Sequence, residues 1–145
     1  MEGDTIMIDP SLKRSIILDN YENPRNKEVP KEEGYQMTNS RNHSCIDNID
    51  IYLKIENNTI KDVKYEGEAC VICISSSSIL SNILIGKTLE EAQNIIDNYN
   101  KMINEEPCNI NILEEAQVYN DVGKQPSRKG CATLFIKGVE KIITK

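Results

Sequence analysis

The sequence predicts an α+β domain in which helices cover a three-stranded antiparallel sheet. Two patterns predict this class: apolar and polar residues alternate over residues 48–65, and apolar residues recur at helical spacing before and after that region. Alternating βαβ units, which build parallel sheets, are absent from the sequence. It also contains no repeat and no linker long enough to separate two domains, so residues 1–145 are expected to form a single domain.

The first half of the chain is predicted to contain one helix and the sheet. Apolar residues at helical spacing place the helix over Pro10–Tyr21, and a turn-forming cluster at Asn23–Asn26 ends it. The polar segment 34–42 shows neither period and receives no assignment. Alternation then predicts an antiparallel hairpin of two strands, Asn48–Glu56 and Thr59–Tyr65.

The alternation breaks between Ile60 and Val63, which indicates a bulge in the second strand. The continuous apolar run Ala69–Ile74 is predicted to be the third strand, lying against the other two. The serines of 75–78 then offer N-caps for a helix that ends at Gly86.

The second half of the chain is predicted to be helical. Thr88 and Glu91 form a capping box at the start of an amphipathic helix that ends at Ile103. A short helix is expected within Ile112–Val122. A terminal helix is expected over Ser127–Ile143, with its first serine as the N-cap.

The composition argues against several classes of function. A net charge of −6, a pI near 4.9 and the lack of a Lys/Arg-rich block argue against a nucleic acid partner. The longest strongly apolar stretch, Ile79–Ile85, is much shorter than the about 20 residues of a membrane span, so no membrane association is expected. Residues 1–14 lack the apolar centre of a signal peptide, which predicts a cytoplasmic protein. Neither a Gly-rich phosphate loop nor a nucleophile elbow is present.

Five cysteines are the candidates for chemistry. Cys45, Cys70 and Cys131 each fall at a predicted element boundary, and Asp47 lies two residues after the first of them. Three thiolates and one carboxylate can complete the tetrahedral shell of a zinc ion. Free cysteines are also common as small core residues, so composition and spacing leave both a metal site and simple packing open.

The remaining cysteines give a weaker signal. Cys70-x-x-Cys73 is the only close pair, and in an extended segment the two side chains would point to opposite faces. Cys73 is therefore expected to pack in the core. Cys108 stands in a Glu-Glu-Pro-Cys-Asn segment and is expected to be exposed and without a role.

Several short motifs follow one another in a particular order. They are Tyr21-Glu22-Asn23-Pro24-Arg25-Asn26, Asn42-His43-Ser44-Cys45-Ile46-Asp47, Gly67-Glu68-Ala69-Cys70-Val71-Ile72 with Ser76 and Ser78 after it, Gly86-Lys87, and Pro126-Ser127-Arg128-Lys129-Gly130-Cys131-Ala132-Thr133-Leu134. This order resembles the U-type iron-sulfur cluster assembly proteins, the family of SufU, IscU and the NifU N-terminal domain. The long segment between Gly86-Lys87 and Cys131, and the lack of a histidine just before Cys131, resemble the SufU branch.

The resemblance implies a fold, a metal and a role. It implies that Cys45, Asp47, Cys70 and Cys131 bind zinc, and that Arg128 acts near this site. It further implies that Cys45 accepts sulfur from the persulfide of a SufS-like cysteine desulfurase and that downstream iron-sulfur assembly proteins are further partners. Such a protein is a sulfurtransferase-like acceptor that acts with the desulfurase rather than alone.

The chain departs from the family pattern close to the proposed ligands. Ile46 stands where the family has glycine, so a positive φ at this position would be strained. His43 stands in place of the usual proline, and its imidazole is an alternative ligand to Asp47. Cys73 replaces a serine, and Asn20 replaces a common histidine.

Three functions remain after this comparison. The first is a zinc-dependent sulfur carrier that serves iron-sulfur cluster assembly. The second is a scaffold that holds the nascent iron-sulfur cluster on the same ligands, since thiolates also bind such clusters. The third is a structural zinc-binding module, in which Cys45 would be buried and inert. The metal bound distinguishes the first two, and thiol reactivity distinguishes the third.

Overall fold

The computed structural model describes residues 9–144 and shows an α+β architecture. Its regular elements, in chain order, are helix α1 (Pro10–Glu22), strands β1 (Tyr35–Arg41), β2 (Asn48–Glu56) and β3 (Thr59–Glu68), helices α2 (Val71–Leu84) and α3 (Leu89–Ile103), short 3-10 segments at Ile110–Tyr119 and Val122–Lys124, and helix α4 (Pro126–Ile143). The predicted three-stranded antiparallel sheet covered by helices is confirmed.

The sheet has the order β1-β2-β3, and both pairings are antiparallel. The turn between β2 and β3 has positive φ at both Asn57 and Asn58, which matches the right-handed twist of the paired strands. The predicted bulge is present: Ile55 pairs with Ile60 but Lys54 pairs with Asp62. The extra residue in β3 lets Ile60 and Val63 both enter the core, where each is fully buried.

The third strand is not the predicted one. β1 comes from the polar segment that showed no pattern, and Ala69–Ile74, predicted to be a strand, instead leads into the first turn of α2. β1 is an edge strand in which only Ser40 is buried, so it has no apolar alternation to detect. A short apolar run is compatible with a buried helix as well as with a buried strand, because both are apolar on all sides.

The serines of 75–78 are predicted to be N-caps, but in the structure they lie inside α2 and are fully buried. Cys70 is the N-cap instead. The hydroxyls are satisfied within the core: Ser76 and Ser77 both donate to the carbonyl oxygen of Cys73, and Ser75 shares a hydrogen bond with Tyr119. This buried helix packs against both α1 and α4, and its N-cap is Cys70.

The later helices follow the predictions with changed ends. The capping box of Thr88 and Glu91 is present at the start of α3. The segment predicted as a short helix forms two 3-10 pieces, and the first has a kink at Glu114. α4 begins at Pro126 with Gln125 as its N-cap, so Ser127 is not the cap. α4 covers the inner face of the sheet, and an added Cβ at Gly138 would lie 2.2 Å from Ile51.

Residues 9–144 contain no helix that is both long enough and apolar enough to cross a bilayer.

Candidate metal centre

The loop between β1 and β2 carries two of the proposed ligands. The backbone N–H of Asn42 donates to the carbonyl oxygen of Asp47 at 3.0 Å, which closes the loop across its base. Within it, the N–H of Cys45 donates to the carbonyl oxygen of Asn42 at 3.1 Å. This turn leaves Cys45 exposed and points Asp47 inward, where it is fully buried.

Cys70 is held by the start of α2. As the N-cap it has extended backbone angles, with φ −74° and ψ 173°, and its own N–H donates to Oδ1 of Asp47 at 2.8 Å. The hydrogen bond links the loop to the helix. Cys131 comes from the second turn of α4 and is only 6% exposed.

These elements bring the four predicted metal ligands together. One ligand atom from each of Cys45, Asp47, Cys70 and Cys131 lies within 4.8 Å of all the others. A tetrahedral zinc ion with bonds of about 2.3 Å separates its sulfur ligands by about 3.8 Å. The ligand atoms would therefore have to move closer together by at most about an ångström to bind zinc. Cys70 Sγ already lies 3.8 Å from Oδ2 of Asp47. Three thiols and one carboxylate are a donor set that suits zinc.

The surroundings favour the protonated form of the two inner thiols when no metal is bound. Burial raises the pKa of the Cys70 thiol. Burial also raises the pKa of Cys131, and the neighbouring Asp47 and Cys70 raise it further. A metal ion must therefore displace protons from these thiols. Its positive charge would lower their pKa and so oppose the rise that the neighbouring carboxylate causes.

His43 is not part of the cluster. Its side chain is exposed. Within residues 9–144, the group of side chains that could hold a metal ion contains Asp47 but not His43. Ile46 fits the loop without strain, since its φ is not positive, and its side chain is 67% exposed.

Arg128 lies one turn before Cys131 in α4, and its side chain is exposed. Within the described part of the chain its guanidinium makes no hydrogen bond or ion pair. It borders a groove of about 300 Å³ that also touches Val71, the residue after Cys70. The groove places Arg128 on the same side of the molecule as the first turn of α2.

The other two cysteines are outside the cluster. Cys73 is fully buried, and burial raises the pKa of its thiol, which agrees with the predicted core position. Cys108 is half-buried and packs against the core, so it is less exposed than expected.

The Tyr21–Asn26 motif joins α1 to α2 and does not reach the metal ligands. The N–H of Arg25 donates to the Ser78 hydroxyl at 2.9 Å, and that hydroxyl donates to Oδ1 of Asn20 at 2.7 Å. Asn26, at positive φ, donates from its side chain to Ser81 at 2.8 Å. The departure at Asn20 is therefore accommodated in a buried structural network.

The family model for NifU-like N-terminal domains matches residues 12–132, which span all four clustered residues. The chain belongs to this family. The resemblance drawn from the sequence motifs is thereby confirmed.

Two relatives, among others, match this chain over nearly its whole length. The zinc-dependent sulfurtransferase SufU of Bacillus subtilis is 32% identical over 136 residues, which cover 93% of this chain and 91% of the relative. The iron-sulfur cluster assembly scaffold protein IscU of Thermotoga maritima is 30% identical over 139 residues, which cover 96% of this chain and 97% of the relative.

Solved structures support the same NifU-like fold. A SUF-system iron-sulfur cluster assembly scaffold protein from Fervidobacterium islandicum AW-1 superposes with a TM-score of 0.79 at 28% identity, over 87% of this chain and 92% of the other. A crystal structure of a hypothetical protein gives a TM-score of 0.86 at 26% identity, over 93% of this chain and 98% of the other.

Proposed function

We propose that this chain is a zinc-dependent sulfur carrier that accepts persulfide sulfur from a cysteine desulfurase and passes it to iron-sulfur cluster assembly. The single observation that carries the proposal is the cluster itself, in which the Cys45 thiol is exposed, Cys70 is half-buried and Cys131 is buried. The names of the Bacillus and Thermotoga relatives, a zinc-dependent sulfurtransferase and an assembly scaffold, support the same process.

Cys45, Asp47, Cys70 and Cys131 are the residues proposed to hold zinc. Bound zinc keeps thiolates deprotonated at neutral pH and protects them from oxidation. Because Cys45 is the exposed member, it is the thiolate that a partner can reach. The three inner ligands are proposed to retain the ion while Cys45 reacts.

The transfer step is a thiol exchange. The Cys45 thiolate attacks the outer sulfur of the desulfurase persulfide, and a bond forms between Cys45 Sγ and that sulfur. The bond from the outer sulfur to the desulfurase cysteine breaks, and its electron pair leaves on that cysteine as a thiolate. The step needs no external oxidant or reductant, because the transferred sulfur keeps its oxidation state.

Arg128 is proposed to act on the anionic groups of this step. Its guanidinium is exposed one turn before Cys131 and is not engaged with other described side chains. A cation at this position can pair with the thiolate that leaves or with an acidic group of a SufS-like partner.

The experiment is a transfer assay with a cognate cysteine desulfurase and free cysteine. After alkylation of persulfides, peptide mass spectrometry is expected to find the additional sulfur on the peptide that contains Cys45. The Cys45→Ser variant is expected to accept none and to leave desulfurase turnover unstimulated, whereas Cys108→Ala is expected to behave as the unchanged protein. Label chiefly on Cys73 or Cys108, with normal acceptance by Cys45→Ser, would refute the assignment of the acceptor.

A second candidate is a scaffold that builds the cluster on the same ligands. It is favoured by the Thermotoga relative and by the three thiols, which also suit iron-sulfur centres. Elemental analysis of protein purified without added metal distinguishes the two functions. Zinc supports the carrier, and iron with inorganic sulfide supports the scaffold.

A further inference from the structure

Asn42 uses all four of its polar groups at the base of the Cys45 loop. Its backbone N–H and C=O bond to Asp47 and Cys45, as described above, and its Oδ1 accepts from the N–H of Ser44 at 3.1 Å. Its remaining group, Nδ2, donates to Sγ of Cys131 at 3.7 Å. One side chain therefore shapes the loop with its oxygen and contacts a proposed ligand on α4 with its nitrogen.

The packing of α4 leaves space for this contact. Gly130 precedes Cys131, and a Cβ added there would lie 3.0 Å from Nδ2 of Asn42. That separation is tighter than normal contact, so a side chain at 130 would push the amide away from its position over the sulfur. The glycine weakens the helix, and its place beside Asn42 explains why a helix would contain it at that point.

The charge of the cluster makes such a donor useful. Three thiolates and one carboxylate outweigh a divalent cation, so the loaded cluster carries net negative charge at partly buried positions. The N–H groups that face these ligands include the backbone N–H of Cys70, which donates to Asp47, and the Asn42 amide, which donates to Cys131. Hydrogen bonds from outer residues to metal ligands orient the ligands and tune the metal.

We propose that Asn42 is a positioning residue that ties the Cys45 loop to α4 and supports the Cys131 thiolate, so that the inner ligands keep the ion when Cys45 leaves it. This inference rests on the proposed zinc site. It assigns the role to a residue that lies 89 positions from Cys131 in the sequence. Asn42 contacts a ligand and not the transferred sulfur, so it acts through Cys131.

The test uses Asn42→Ser in the full chain. A serine oxygen can still accept from the N–H two residues later, so the turn is retained, but the shorter side chain cannot reach Cys131. We expect zinc affinity, measured by competition with a chelator, to fall by about 10-fold or more, as is usual when an outer partner of a ligand is lost. The matched control is Asn111→Ser, an exposed asparagine beside Lys87 and Asn94, which should leave the affinity unchanged.

A spectroscopic measurement separates this role from a general loss of stability. In the cobalt-substituted protein, loss of a hydrogen bond to a thiolate raises the energy of the sulfur electrons, so the sulfur-to-cobalt charge-transfer band should move to longer wavelength. We expect this shift in Asn42→Ser and not in Asn111→Ser.

Gly130→Ala tests the same contact without changing Asn42, and it is expected to shift the band in the same direction. If Asn42→Ser does not fold, Gly130→Ala decides the question. An unchanged band and unchanged zinc affinity in whichever of these variants folds would overturn the inference. Failure of the unchanged protein to bind zinc or cobalt would instead overturn the proposed function.

Discussion

Cys45 and Cys131 belong to one cluster but stand on supports of opposite kinds. Cys45 is exposed on a six-residue loop, next to an isoleucine that is itself 67% exposed. Cys131 is 6% exposed in a helix whose following residues, 132–136, are all buried in the core. Cys70 lies between these two: it is half-buried, and it caps α2, whose body is almost entirely buried.

Under the proposed function, this difference makes Cys45 the ligand that is able to leave. Displacing Cys45 moves a solvated loop and uncovers little apolar surface, whereas displacing Cys131 would disturb the packing of α4 on the sheet. A sulfur carrier needs both behaviours in one site: a thiolate that can reach a partner and ligands that keep the metal in place. If the two sides of the cluster differ in this way, removing a ligand from one side should not have the same effect as removing one from the other.

The largest effect is expected from removal of an embedded ligand. Cys131→Ala and Cys70→Ala should each reduce the metal content from about one zinc per chain to almost none, because each variant loses a ligand held by a helix and must rely on Cys45, the exposed thiol on the loop. Elemental analysis and native mass spectrometry measure this content. Cys108→Ala, which changes a thiol outside the cluster, is the control and should retain zinc. Full retention in Cys70→Ala would contradict the proposed ligand set.

A smaller loss of metal is expected from the exposed side. Cys45→Ala should retain zinc on Asp47, Cys70 and Cys131, with water in the open position, and its affinity should fall less than that of Cys131→Ala. Chelator competition on the two variants in parallel gives the ratio of affinities. An equal loss of zinc affinity in both variants would show that the loop and the helix hold the metal equally, which contradicts the proposed difference between Cys45 and Cys131.

The carboxylate is expected to contribute less than any embedded thiolate. Asp47→Ala should lower zinc affinity by about 10-fold or more, because it removes a ligand and also the acceptor for the Cys70 N–H. His43→Ala should have no effect, since that side chain lies outside the cluster. Undiminished zinc binding by Asp47→Ala, lost only when His43 is also changed, would show that the imidazole replaces the carboxylate.

Local signals account for the parts of the fold that the sequence predicts well. The β2-β3 hairpin is visible in alternation and in its Asn57-Asn58 turn, and the start of α3 is visible in its capping box. β1 is not visible, because an edge strand that buries only Ser40 has no reason to alternate. The sequence predicts a strand where the first turn of α2 lies, because a continuous apolar run carries no period.

The site depends on contacts that spacing does not contain. Composition and spacing allow the three thiols and Asp47 as a metal site but leave core packing open, and only the family resemblance selects these residues. The hydrogen bond from Asn42 to Cys131 joins residues 89 positions apart and could not be inferred from either segment. Gly130 was the one available signal, since a glycine inside a helix indicates a close neighbour.

The smallest expected effect is a pH dependence of stability that changes sign with the metal. In the metal-free protein, burial raises the pKa of Cys70 and of Cys131, so the folded state holds their protons more tightly than the unfolded state, whose thiols titrate near about 8.5. The raised pKa values therefore stabilise the folded state fully at pH values below the pKa of the unfolded thiols. This stabilisation should be lost as pH rises towards the folded-state pKa values. Zinc needs the thiolates, so the loaded protein should instead lose metal and stability as pH falls.

Urea unfolding over a pH series, with a chelator and with zinc, measures how stability changes with pH in both forms. In the metal-free form Cys131→Ser and Cys70→Ser should each flatten the alkaline decline, because each removes one of the two thiols whose pKa is raised by burial. A decline as steep in both variants as in the unchanged protein would show that burial of these thiols does not set the pH dependence.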